Sequence, residues 1–153
     1  MAYGSAAGVA ALAKTWTDNG EFKDPDVYGD GGTPTTLAEV TEWLLQVSGF
    51  MDVSLSEYGF AIPIDPDRFP QVERLIDLKV NALVADLVSY AHGKGRLLSD
   101  RIQERGESPS TILERELLAW VKARVNALES YGIPRIVDLE ANQAYSIAPT
   151  RQL

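Results

Sequence analysis

The chain contains no cysteine, which excludes disulfides and thiolate chemistry and fits a reducing site of synthesis. Its one histidine, His92, leaves a catalytic triad or a histidine-based metal site without identifiable partners. Gly93 follows it where an apolar pattern stops, so His92 reads as a structural helix-end residue that faces water or caps carbonyls. No stretch approaches the about 18 consecutive apolar residues of a membrane span, so no membrane is expected among its partners. The opening MAYGSAAGVAALAKTW has no basic segment before its small residues, so a secretory leader is not expected either. Basic residues are scarce: 14 Lys and Arg stand against 22 Asp and Glu, a net charge of −8. Duplex DNA is held mainly by cations that neutralise its phosphates. A chain this acidic is suited to lie beside DNA without gripping it.

What the chain does have is one domain's worth of amphipathic helix. Its 153 residues suffice for a single core. Ser5 is placed to cap a short helix running to about Trp16, with Val9, Leu12 and Trp16 on one face. A Gly-, Asp- and Pro-rich loop over 17–34 follows. Thr36-Leu37-Ala38-Glu39 is a capping box, and behind it Leu37, Val40, Leu44, Val47, Met51 and Leu55 predict a helix to about Glu57. A turn region marked by Pro63, Pro66 and Pro70 leads to a long helix begun at Asp67 or Pro70. Its broad face of Val72, Leu75, Ile76, Val80, Leu83, Val84, Leu87 and Val88 predicts burial on more than one side. It stops at His92-Gly93. A short helical piece over 97–105 and a last amphipathic helix, restarted at Ser108-Pro109-Ser110 and ended at Gly132, complete the pattern. The fold class is therefore mainly α: a helical bundle of three long or medium helices plus short helices, with an extended C-terminal arm. The boundary is set between a helical domain, 1–132, and an arm, 133–153, whose apolar residues show no helical period.

Candidate chemistry is sparse. Asp24, Asp26 and Asp30-Gly31 have calcium-loop spacing, but position 35 is Thr where a bidentate Glu is needed; a solvated turn explains them as well. Gly93-Lys94-Gly95-Arg96 is too short for a phosphate loop and follows no strand. Trp16, Trp43 and Trp120 fall on apolar stripes and read as core. Helical carboxylates read as wet faces. No catalytic residue, metal ligand or cofactor is expected, and the protein is not expected to be an enzyme.

One stretch carries more. Thr35-Thr36-Leu37-Ala38-Glu39-Val40 opens a helix, Ser48-Gly49-Phe50-Met51-Asp52 with Leu55 closes it, and Tyr58-Gly59-Phe60-Ala61-Ile62-Pro63 follows. With Tyr3 and Val9-Ala10-Ala11-Leu12 ahead of it, this pattern over residues 3–92 resembles the head–tail connector (adaptor) proteins of tailed bacteriophages. The resemblance implies a helical protomer made in the bacterial host cytoplasm. It would assemble with neighbouring copies as a dodecameric ring under the portal protein, at the head–tail interface of the virion. Such a ring extends the DNA channel and joins the head to the next neck or tail component. DNA would pass along Asp- and Glu-rich faces without specific binding.

Within that picture the docking side chains expected to meet the portal or a neighbouring protomer are Ile133, Ile136, Val137, Leu139, Tyr145 and Ile147 of the arm, with Phe60 and Ile62 of the turn. Phe60 and Ile62 serve equally well to close the end of the bundle. The arm is expected to be mobile on a lone protomer and to order in the particle. The alternative is a small helical regulatory or protein–protein interaction module, monomeric or dimeric.

Overall fold

Helix starts follow local chemistry closely. In the computed structural model, which describes residues 2–137, Ser5 accepts from the Gly8 amide to begin α1 (Ala6–Leu12). Thr36 and Glu39 exchange both capping-box bonds at the start of α2 (Leu37–Glu57). Pro70 opens α3 (Pro70–Ala91) from the first helical turn, where its missing N–H costs nothing. α4 (Arg96–Arg105) has no side-chain cap of its own; instead the Asp86 carboxylate accepts from the Leu97 and Leu98 amides. Ser108 caps α5 (Pro109–Lys122), and α6 (Val125–Ser130) follows. The chain is thus mainly helical, as its periodicity predicts.

Two helices are shorter than predicted. The first ends at Leu12, and Lys14–Trp16 forms a 3-10 turn that swings Trp16 away from the α1 stripe. The last breaks at Ala123 and Arg124 into α5 and α6. Its kink has a local cause: the Arg124 guanidinium folds back, donating to the Trp120 carbonyl at 3.2 Å and lying 4.5 Å from the Trp120 ring centroid.

α2 and α3 form the spine. A short link joins the end of α2 to the start of α3, and at the far end the Thr35 hydroxyl and His92 Nε2 stand 3.0 Å apart, so the two helices run antiparallel. α3 packs against α1, α2 and α4, while α5 covers the other side of α2. Val40, Leu44, Val47, Met51 and Leu55 of α2 meet Ile76, Val80, Leu83, Val84 and Val88 of α3 in one core, with Ile112, Leu113, Leu117 and Val121 from α5. Leu83 is buried and Leu87 partly so. Its three neighbours account for the broad face of α3 except at Leu75, which is exposed, as are Leu37 and Leu12 on the predicted stripes of α2 and α1. All three tryptophans are partly buried and pack against this core at its margin.

The boundary at 132 also needs correction. Ile133 is buried, the Ala61 amide donates to the Pro134 carbonyl and the Ile136 amide to the Gly59 carbonyl, both at 2.8 Å. Phe60 and Arg135 form an antiparallel bridge. Residues 133–136 therefore belong to the protomer, and Ile136 and Val137 turn helical at the edge of the described residues. Pro134 is tolerated because only its carbonyl is used.

Candidate functional site

The N-terminal segment is inserted between α2 and α3. The Tyr3 amide donates to Ser48 Oγ at 2.8 Å, the Gly4 amide to Asp77 Oδ1 at 2.6 Å, and the Ser5 amide to Asn81 Oδ1 at 2.9 Å. Ser48 and Asn81 are themselves buried polar residues, so each is satisfied by this plug. The Tyr3 ring is buried, and its hydroxyl donates to Asp52 Oδ1 at 2.6 Å while accepting from the Ile64 amide at 3.2 Å. Burial, then the bond to Asp52, pushes the Tyr3 hydroxyl above the ordinary phenol range. Burial also raises the Asp52 carboxyl, against the pull of the Tyr3 hydroxyl. Gly4 sits at φ +78°, and a Cβ there would lie 2.4 Å from Asn81 Oδ1; no other residue fits this entry.

At the base of α2, Gly59 at φ +81° turns the chain. Phe60 is fully buried, Ile64 nearly so, and Ile62 exposed. Arg135 crosses this turn, donating to the Tyr58 carbonyl and to Glu129, with its guanidinium 4.4 Å from the Phe60 ring centroid. The turn thus closes the end of the bundle, the second of its two expected uses, and Phe60 and Ile133 are corrected as partner contacts because the protomer already buries them.

The 17–34 loop is ordered by its own polar groups. Asp26 Oδ1 accepts from the Tyr28 and Asp30 amides at 2.8 and 2.9 Å, and Asp24 Oδ1 from the Ala38 amide at 2.8 Å. These carboxylates hold backbone, as the turn reading expects. Among the described residues no group of three or more His, Asp or Glu could hold a metal. At the loop tip Val27 and Tyr28 are 94% and 86% exposed. His92 stacks on Trp16 with centroids 4.1 Å apart, so it fastens the 3-10 turn and Thr35 to the end of α3, a structural role.

Two surfaces remain open. A groove of about 460 Å³ between α2 and α5 is lined by Phe50, Val53, Glu57, Glu114, Arg115 and Leu118. Arg115 at its rim pairs with Glu107 at 2.6 Å, which lowers the Glu107 carboxyl below its usual range. At the start of α3, Glu73 is pushed upward by burial and by Asp77, Asp67 and Asp65. Among the described residues no helix is long and apolar enough to cross a membrane.

Of the side chains expected to dock, Val137 is 71% exposed and Ile62 exposed, Ile136 is half-buried, and Leu139, Tyr145 and Ile147 lie outside the described residues. Sequence reasoning missed Val27 and Tyr28; two bulky apolar residues inside an Asp/Gly loop were the available signal. It also missed the α2–α5 groove, which depends on the angle between two helices rather than on either stripe. Comparison of the chain with protein-family profiles, curated proteins and solved structures gives no match.

Proposed function

We propose that this chain is a non-enzymatic virion protein, a head–tail connector that docks as a ring beneath the portal, extends the DNA channel and joins the head to the neck or tail. The observation that carries this reading is the convergence of the resembling residues. Tyr3, Ser48 and Asp52 belong to the pattern and lie far apart in the sequence, yet hydrogen bonds at Tyr3 join them. That residues of the resembling pattern meet in one network supports the resemblance. The hydrogen-bonded, exposed Val27–Tyr28 tip and the exposed Val137 supply apolar surface for a neighbouring copy or the portal. The net charge of −8 suits a wall that DNA slides past without being held.

Electron cryo-microscopy of particles carrying this chain tests the reading. The expected result is a ring between portal and tail; a position elsewhere in the particle, or none, overturns it. The isolated protein should retain no duplex DNA at physiological salt, and salt-sensitive micromolar retention would contradict the sliding role. Sedimentation as a monomer or dimer from hosts without portal and tail genes would instead favour the helical interaction module.

A further inference from the structure

The α2–α5 groove has no occupant among the described residues, and the described chain ends beside it. Glu57 lines both the groove and the adjoining hollow formed with Tyr58, Gly59, Arg135 and Val137. The next apolar residue in the sequence is Leu139, two positions on. Two residues span at most about 7 Å fully extended, so the tether from Val137 gives position 139 reach to the Glu57 corner. From that corner Val53 is one helical turn up α2, about 6 Å away. Val53 is 57% exposed, and Phe50 and Leu118 complete an apolar floor.

We infer that this groove is the seat of the chain's own C-terminal segment, with Leu139 as the anchor against Val53 and Leu118. Tethering decides between this occupant and others. A short linker gives the segment a millimolar effective concentration at the groove, which a separate molecule matches only by binding correspondingly tightly. The pairing of residues 134–136 with 59–61 fixes the point from which the tether leaves. Arg135 in the adjoining hollow and Arg115 at the groove rim are the cations along this path, and Asp138 and Glu140 flank Leu139 in the sequence. This assignment holds whether or not the protein is a connector.

The test is methyl nuclear Overhauser spectroscopy on the full chain. Cross-peaks from the Leu139 methyls to those of Val53 and Leu118 are expected within one molecule. Their absence overturns the inference. Their appearance only between differently labelled copies in a mixed sample also overturns it, by assigning the groove to a second copy. Val53→Asp, at an exposed position, should remove the cross-peaks and move residues 138–147 to random-coil shifts while the melting temperature stays nearly constant. Cross-peaks that survive Val53→Asp would place Leu139 elsewhere.

Discussion

Residues 3–5 and residues 133–136 both close onto the α2–α3 spine from outside, near opposite ends of the chain, and they do so by different chemistry. The first segment gives three successive backbone amides to three side chains, Ser48, Asp77 and Asn81, on two different helices. The second exchanges backbone bonds with Gly59 and Ala61, and Arg135 gives its guanidinium to the Tyr58 carbonyl. Side-chain acceptors fix one register and demand particular residues. Backbone acceptors are present in any sequence. The first tie is therefore written into residue types throughout, and the second only at Ile133 and Arg135.

The largest effects should come from the core both segments rest on. Leu83→Ala between α2 and α3, and Leu117→Ala on the α5 side, should each cost about 2–5 kcal/mol, read from denaturant midpoints. If the two sides form one unit, each variant shows a single transition of unchanged slope. Two separated transitions would split the molecule into independent halves.

Next is the C-terminal tie. Ending the chain after Gly132 removes Ile133 and both backbone bonds. Burial of an Ile is worth about 1.5–3 kcal/mol and each net bond about 0.5–1.5 kcal/mol, so a loss on the order of 3 kcal/mol is expected. Ending it after Val137 should cost far less. Equal melting temperatures for the two truncations would show that the 59–61 pairing contributes nothing.

The N-terminal tie is probed by Tyr3→Phe, which leaves the Ile64 amide and Asp52 without their shared hydroxyl. About 1–3 kcal/mol is expected for buried groups left unpaired. The pH dependence gives a sharper reading. A hydroxyl whose folded pKa is raised adds stability that is fully present below the unfolded value near 10.0 and is lost as pH climbs above it. The wild-type chain should therefore lose stability more steeply above pH 10 than Tyr3→Phe, and the gap between them should narrow. A constant gap would mean that Tyr3 ionises as it does when unfolded.

The same contrast explains what could be read from the residues alone. Ser5, the Thr36–Glu39 box, Pro70, Ser108 and the stripes of α2 and α3 act locally, so spacing revealed them. The α5–α6 break was hidden because it depends on Arg124 folding back onto Trp120, and the apolar spacing runs through it undisturbed. Residues 133–136 looked like the start of a free arm because Pro134 and Ile136 are tied to backbone groups of Ala61 and Gly59, over seventy residues earlier, and not to side chains. The docking surfaces were least legible: Phe60 and Ile62 are two residues apart with opposite burial, and only the turn at Gly59 decides which points inward.

The smallest effect on stability is expected at the 17–34 loop, and there a null result is informative. Val27 and Tyr28 are not exposed through slackness. Asp26 holds the tip through the Tyr28 and Asp30 amides, the Thr33 amide closes the neck onto the Lys23 carbonyl at 3.0 Å, and Asp24 fastens the loop to the start of α2. A tip held this firmly is presented to a partner with little ordering entropy left to lose. Replacing both residues, Val27→Ser with Tyr28→Ser, should change folding stability by no more than about 0.5 kcal/mol. Under the connector reading the same variant should lose incorporation into particles. A large drop in melting temperature would mean that the tip supports its own protomer. Normal melting with normal incorporation would remove this loop from the docking surface and leave that task to other exposed residues such as Val137.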